Sequence, residues 1–385
     1  MQVLNSPVES DAASAPERRM LPHPSSLEVW GQADISTLIC RQVQDVTHDV
    51  KTFLFESSPA SLFQHEPGQF VTLQLEIDGR SVSRCYTISS PPTRPQLLSI
   101  TVKRQPGGVV SNWLHDTMAP GKRILADGPF GSFTITHRPS AKYLFLSGGS
   151  GVTPVMSMTR TLYDLGSDAD IVFVHSARTP SDIIFRRELE TIASTVPTVR
   201  VVHICEQDSP REPWGGLRGF LSQDMLPLLA PDLAERVIFC CGPAPYMAAV
   251  RRILVDVGFD MSNYHEESFS FEDLTLDKPP APTNGATIDT AHGESSGTTT
   301  YSIEFARSGK TFTCAEDEYV LDAAYAAGLS PASSCGQGMC GTCKTTMLSG
   351  SVDMQHNGGI RPREVAQNKV LICCSKPLSD LTIDA

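Results

Sequence analysis

Three cysteines share one short loop of this 385-residue chain: Cys335, Cys340 and Cys343 stand as C-x4-C-x2-C, and Cys373 follows after 29 further residues. This is the spacing by which thiolates hold a plant-type [2Fe–2S] cluster, three from a tight loop and one from a strand that returns to it. Zinc is the competing use of such thiols, but structural zinc usually draws on two close cysteine pairs. Gly336, Gly338 and Gly341 let the backbone wrap the loop and aim N–H groups at sulfur. Cys374 is the rival for the fourth position, and alternation along a strand lets only one of the two adjacent cysteines face the loop. Such a cluster takes one electron at a time at low potential, so a strongly reducing donor must stand upstream.

Two groups of residues could supply that donor. The run Arg84-Cys85-Tyr86-Thr87-Ile88-Ser89-Ser90 offers a cation, an aromatic ring and a hydroxyl. A flavin uses all three, for its pyrophosphate, its ring face and its N5. Gly107-Gly108-Val109-Val110-Ser111 then enters a helix whose free N–H groups would meet a phosphate, and Val102 on the preceding strand completes the expected flavin contacts. A solvated arginine, a core tyrosine and an ordinary glycine turn explain each feature singly. Their convergence argues for a site.

The second group is nucleotide-like. In Ser147-Gly148-Gly149-Ser150-Gly151-Val152-Thr153-Pro154, an apolar strand turns into a helix through Gly149 and Gly151, with Thr153 and Pro154 at the helix start, a geometry that lets a phosphate approach backbone N–H groups. Cys241-Gly242-Pro243 ends another apolar strand, where the crevice of a parallel sheet receives ligands. Arg178 follows the strand IVFVH, either as a clamp for a nucleotide 2′-phosphate or as a loop charge.

The elements that must hold these residues follow from pattern and punctuation. Residues 1–34, rich in Ser, Pro and Ala, read as a disordered extension. Short strand-like runs between Pro and Gly over 35–138 predict an antiparallel β-barrel for the flavin. Apolar strands alternating with helical spacers over 139–271 predict a parallel α/β nucleotide domain. Residues 272–298, acidic and then rich in Pro, Thr, Gly and Ser, read as a linker, and 299–385 as a small α+β domain.

The net charge of −12 argues against nucleic acid and anionic membrane as partners. No apolar run approaches the ~20 residues of a membrane span, and no secretory pattern opens the chain. A cytoplasmic location is expected, with the 11 cysteines serving redox or metal use rather than a disulfide framework.

The motifs, in this order, resemble the ferredoxin–NADP reductase superfamily: Arg84, Tyr86, Thr87 and Ser90 match R-x-Y-[ST]-x-x-S, Gly108 and Ser111 match G-x-x-S, and Cys241-Gly242-Pro243 matches C-G-P. The loop SSCGQGMCGTCK and the gap to Cys373 resemble plant-type ferredoxins. The resemblance spans residues 35–385. It implies a β-grasp C-terminal domain and FAD, with FMN the alternative. It also implies NADH, with NADPH the alternative, as donor, and catalytic positions for Cys241 beside nicotinamide C4 and flavin N5, Thr153 at the nicotinamide and Thr87 at the flavin. In similar reductases the end of the nucleotide domain, here His265-Glu266-Glu267-Ser268-Phe269, lies near both cofactors; an exposed acidic terminus is the other reading. The domain order is similar to reductase components of multicomponent oxygenases, above all glycine betaine monooxygenase reductases, whose partners are Rieske-type oxygenases. The alternatives are a hybrid cluster protein reductase and an electron-transfer reductase for another oxygenase.

Overall fold

A computed structural model describes residues 27–30, 36–268 and 299–385, the last stretch apart from 330, 332, 334, 335, 337, 339, 340, 342 and 357. The expected linker, most of the expected N-terminal extension, and the expected ligands Cys335 and Cys340 lie outside the described residues.

The first region builds β1 (Glu28–Val29), β2 (Ser36–Thr47), β3 (Val50–Ser58), β4 (Ser61–Leu62), β5 (Phe70–Ile77), β6 (Arg80–Thr87), β7 (Leu98–Lys103), α1 (Val109–Thr117) and β8 (Arg123–Phe130). Six strands pair antiparallel in the order β6-β5-β8-β2-β3-β7. Ile88, just past β6, bridges Ile100 on β7 and draws the two edges into a barrel. Phe53, Phe55, Leu73, Leu98 and Ile100 fill its interior; β3 largely alternates because one face points inside, whereas β7 is buried on both faces from Leu98 to Val102. The extension is corrected at its inner end. Glu28–Val29 pair with Ser61–Leu62, and the Trp30 ring packs 5.2 Å from Phe63 in the barrel core. One indole buries enough apolar surface to hold a short stretch whose neighbours read as polar.

The second region builds β9 (Lys142–Gly148), α2 (Val152–Asp164), β10 (Asp170–Ala177), α3 (Arg186–Thr195), β11 (Val199–Cys205), β12 (Leu217–Arg218), α4 (Met225–Leu229), β13 (Val237–Gly242), α5 (Ala244–Asp256) and β14 (Tyr264–Ser268). All six strands are parallel, in the order β12-β11-β10-β9-β13-β14. The central strands are apolar throughout because both faces are covered. Phe145, Phe173 and Phe239 face a core shared with Val50, Phe133 and Ile135 from the barrel side, while Leu144, Val174 and Ile238 pack under Met247, Val250 and Leu254 of α5.

The third region builds β15 (Thr300–Phe305), β16 (Lys310–Ala315), α6 (Val320–Ala326), β17 (Lys344–Ser349), β18 (Val352–Met354), α7 (Pro362–Val365), β19 (Lys369–Leu371), β20 (Ser375–Pro377) and β21 (Leu381–Ile383). Its mixed sheet runs β16-β15-β21-β17-β19, with β15 and β21 parallel, and Val320, Leu321 and Ala324 of α6 close its core.

Candidate functional site

Strand order reverses between β9 and β13, so their C-terminal ends lie side by side, the place where open parallel sheets take ligands. Both nucleotide motifs meet there. Gly149 (φ 53°) and Gly151 carry the turn into α2, and a Cβ on Gly151 would stand 2.2 Å from the Cys241 carbonyl oxygen. A Cβ on Gly242 would stand 2.7 Å from the Tyr246 ring. A 3-10 turn, Gly149–Gly151, runs straight into α2, whose first N–H, at Val152, bonds the Gly149 and Ser150 carbonyls; among the described residues no side chain caps the turn or the helix, so a phosphate can approach the backbone of the turn itself. Thr153 is buried and donates its hydroxyl to the Ser150 carbonyl at 3.1 Å, and Pro243 leads into α5.

Strand register lays five residues along one rung: His203 on β11, His175 on β10, Ser147 on β9, Cys241 on β13 and Glu267 on β14. Ser147 Oγ lies 2.8 Å from His175 Nδ1. Burial pushes the His175 imidazole down to about 3 and the His203 imidazole down to about 4, so both are neutral. Burial, then Glu267, holds the Cys241 thiol well above its ordinary range, which makes it a shape-giving thiol rather than a nucleophile. The Glu267 carboxyl is pushed up to about 8 by burial, then by Cys85, and neither oxygen finds a hydrogen-bond partner among the described residues. Cys85 belongs to β6, so the end of β14 faces the strand that carries the flavin motif. The adjacent Cys240 points the other way, into the core under α5.

On β6 the Thr87 hydroxyl is buried without a partner among the described residues, an orphan that a ring nitrogen would satisfy. Arg84 donates to the Ser83 carbonyl at 2.8 Å and forms no ion pair among the described residues, which leaves its charge for a phosphate. Tyr86 lies against the barrel core. Gly107 (φ 74°) turns the chain into α1, whose N-cap Gly108 offers no side chain, so the N–H groups of Val109, Val110 and Ser111 remain for a diphosphate. The turn is braced by Ser111 Oγ, which accepts the Gln105 N–H at 3.1 Å, and by Asn112 Nδ2, which donates to the Gly108 carbonyl at 2.7 Å.

Two expected flavin contacts have other employment. The Ser90 hydroxyl accepts the Ser99 N–H at 2.9 Å, and its carbonyl accepts Ser157 Oγ at 2.8 Å, tying the barrel to α2. The Val102 side chain is in the barrel core, and its carbonyl lies 2.9 Å from His115 Nε2, beneath α1. Arg178 is exposed, 4.0 Å from Asp182.

Of the expected cluster ligands, Cys343 and Cys373 are described, both buried. Cys373 and Cys374 lie in a 3-10 turn, Ile372–Cys374, rather than on the expected strand; Gly338 of the cysteine loop donates its N–H to Cys373 Sγ at 3.3 Å, as a backbone does to a ligating thiolate, while the Cys374 thiol donates to the Leu371 carbonyl at 3.5 Å and lies 2.7 Å from where a Cβ on Gly338 would stand. The residues present thus fit a flavin dinucleotide on β6 and α1, a second dinucleotide at the reversal of the parallel sheet, and a cluster in the third region.

Comparison with known proteins agrees. The chain matches the oxidoreductase FAD-binding domain over residues 38–135, the oxidoreductase NAD-binding domain over 145–252 and the 2Fe-2S iron-sulfur cluster binding domain over 303–378. It is 47% identical over 369 residues to the glycine betaine monooxygenase reductase subunit of Chromohalobacter salexigens, covering 94% of this chain and 98% of that one. It belongs to the monooxygenase reductase subunits. The stachydrine N-demethylase reductase subunit of Rhizobium meliloti is 44% identical, over 93% of this chain and 98% of that one. Phthalate dioxygenase reductase shares the three-part fold, at a TM-score of 0.53 and 23% identity, over 91% of this chain and 98% of that one. The reductase therefore takes electrons from NADH through FAD and a [2Fe–2S] cluster to an oxygenase. Among its described residues no helix is long and apolar enough to cross a membrane.

The motifs leave Glu267 undecided between a cofactor neighbour and an exposed terminus; register with Cys241 puts it inside. They give no sign of Ser147, His175 and His203 as one polar row, because each reads as an isolated residue at the end of an apolar strand.

Proposed function

We propose that the terminal acceptor is a Rieske-type oxygenase that oxidatively demethylates glycine betaine or a related quaternary amine. The observation that carries this reading is near full-length similarity to reductase subunits named for glycine betaine monooxygenase and for stachydrine N-demethylase. Bound FAD would accept the two-electron hydride of NADH and release electrons singly to the cluster, which is why the chain carries both.

The residues divide the work as follows. Arg84 and the N–H groups of Val109, Val110 and Ser111, at the turn through Gly107 and Gly108, hold the flavin diphosphate, Tyr86 packs on the ring, and the Thr87 hydroxyl is directed to N5. Gly149, Gly151, Thr153, Pro154, Gly242 and Pro243 seat the nicotinamide nucleotide, and Cys241 shapes the pocket as a protonated thiol. Glu267 keeps its proton at neutral pH on the rung of Cys241, so no uncompensated charge stands where the hydride crosses. Cys335, Cys340, Cys343 and Cys373 hold the cluster.

The test is reconstitution. Mixed with NADH and a purified glycine betaine or stachydrine oxygenase, the holo-reductase should release formaldehyde in step with NADH consumed. Reduction of artificial acceptors without formaldehyde from either oxygenase would remove the quaternary-amine assignment.

A further inference from the structure

The barrel and the iron–sulfur region touch through an ionic contact that neither the sequence motifs nor the family match assigns. Asp127 on β8 receives Arg361 Nη2 at 3.0 Å and Lys344 Nζ at 3.6 Å. The same Arg361 nitrogen donates to the Gly128 carbonyl at 2.6 Å. Both cations also lie over the Phe130 ring, Lys344 at 5.1 Å and Arg361 at 4.9 Å from its centroid. Lys344 is held from behind by the buried Glu364 at 2.7 Å. Beside this cluster the two backbones nearly meet: a Cβ on Gly358 would stand 3.2 Å from Gly131 Cα. Side-chain exposure is 12% for Lys344, 13% for Asp127 and 15% for Arg361, so the contact is largely dry.

Its position is functional. Thr72 on β5 pairs with Asp127 on one side and with Cys85 on the other, which puts Asp127 two strands from β6, roughly 10 Å across the sheet. Lys344 directly follows Cys343. Its construction is that of a contact that opens. Among the described residues the core of the iron–sulfur region, Ile303 to Ile383, takes no residue from the barrel, so separation opens neither core and uncovers mainly the Phe130 ring beneath the two cations. Burial raises the Asp127 carboxyl more than both cations lower it, and Arg361 Nη1 is buried without a partner among the described residues. A dry ion pair of this kind gives geometry at little net gain in stability.

We propose that Asp127 anchors a releasable clasp that seats the iron–sulfur domain in one register on the flavin barrel. Closed, it is the state in which the cluster is loaded; open, it frees the Lys344 flank of the cluster loop for the oxygenase. The electron count demands repetition: one NADH and two oxidised clusters give NAD+, a proton to solvent and two reduced clusters, so the domain loads twice for each NADH.

The proposal rests on the electron path described above. The test uses the full-length holoprotein with Asp127→Asn, Arg361→Gln and the double variant. Amide exchange at 127–131 and 358–361 should rise together in each single variant, with α2 and β13 unchanged. On mixing with NADH without oxygen, flavin bleaching should keep its rate while cluster bleaching slows at least about tenfold. The double variant should be no slower than the slower single, because both remove one contact. Wild-type protection and wild-type cluster bleaching in both singles would overturn the clasp, as would effects that multiply in the double. If Asp127→Asn loses flavin or cluster absorbance, Arg361→Lys, which keeps charge but not the fork, is read by the same two signals. Failure of the electron path itself looks different: NADH would then bleach neither chromophore in the wild type.

Discussion

Where the barrel meets the parallel sheet, Val50, Phe133 and Ile135 are buried in one core with Phe145, Phe173 and Phe239, and Arg160 on α2 donates to the Ser89 carbonyl at 2.5 Å. Where the barrel meets the iron–sulfur region, the contact is Asp127, two cations and a glycine-to-glycine approach, with no shared core. The difference matches the two transfers. A hydride passes only between atoms held in contact, so flavin and nicotinamide sites must be parts of one rigid body. Single electrons also pass between bodies that meet and part, so a register that can be released is enough.

The largest expected effect separates the two junctions completely. Cys373→Ser should abolish the cluster, read as lost visible absorbance and iron content, yet leave flavin bleaching by NADH within about twofold of wild type, as expected for sites without shared contacts. Cys374→Ser should keep the cluster, because that thiol donates back to Leu371 rather than receiving the Gly338 N–H. Loss of flavin reduction in Cys373→Ser would break the comparison by showing that the iron–sulfur region supports the hydride site.

Next in size is Gly151→Ala. Its backbone is ordinary for alanine, so the obstacle is purely the Cys241 carbonyl 2.2 Å from the new Cβ. The turn and β13 must part by about an ångström, which should slow flavin bleaching by about 100-fold and lower stability by roughly 1–3 kcal/mol. A melt and a stopped-flow trace on the same sample check both.

These glycines and cysteines were legible in the sequence because each belongs to a motif of fixed local spacing, even where the reason for it, such as the Cys241 carbonyl facing Gly151, lies far along the chain. A turn into a helix or a cysteine loop is fixed over fewer than ten residues, and the three-part architecture shows in the change from alternating to continuous apolar runs. Glu267 and Asp127 were hidden for the opposite reason. Glu267 matters because β14 pairs with β13 in one register, and Asp127 because Arg361, 234 positions away, reaches it. At Ser90 and Val102, a motif position and a strand position expected to touch flavin, the hydroxyl accepts the Ser99 N–H and the side chain packs in the barrel core, contacts that the motif does not announce.

Glu267→Gln sharpens the picture of the rigid junction. The carboxyl ionises near 8 in the folded protein against an ordinary 4.5, so the folded state keeps a proton that the unfolded chain releases. Its contribution is fully present below about 4.5 and is lost as pH rises to about 8, at no more than ~1.4 kcal/mol per pH unit. The glutamine variant has no such slope. Melting temperatures at pH 5 to 9 should show the variant gaining on the wild type up to about pH 8 and then running parallel; parallel curves throughout would mean that Glu267 is not sealed between barrel and sheet.

The smallest effect is expected at the rim of the same junction, where charge replaces packing. Asp182 accepts from the Thr179 N–H at 3.1 Å and from its hydroxyl at 2.8 Å, and sits 4.0 Å from the exposed Arg178 and 3.8 Å from His48 of the barrel. A carboxylate there opposes the 2′-phosphate of NADPH, while Arg178 alone would attract it. Asp182→Asn keeps an oxygen for both Thr179 bonds and removes the charge, so it should raise kcat/KM with NADPH relative to NADH. Charge pairs in contact with water are worth ~0.2–1 kcal/mol, which limits the gain to about fivefold, and it should shrink as salt screens it. Arg178→Ala should have the opposite sign, lowering NADPH use below wild type and leaving NADH alone. A change with NADH as large as that with NADPH would mean that Asp182 acts through the barrel contact at His48, which would extend the rigid junction to the rim of the nucleotide site.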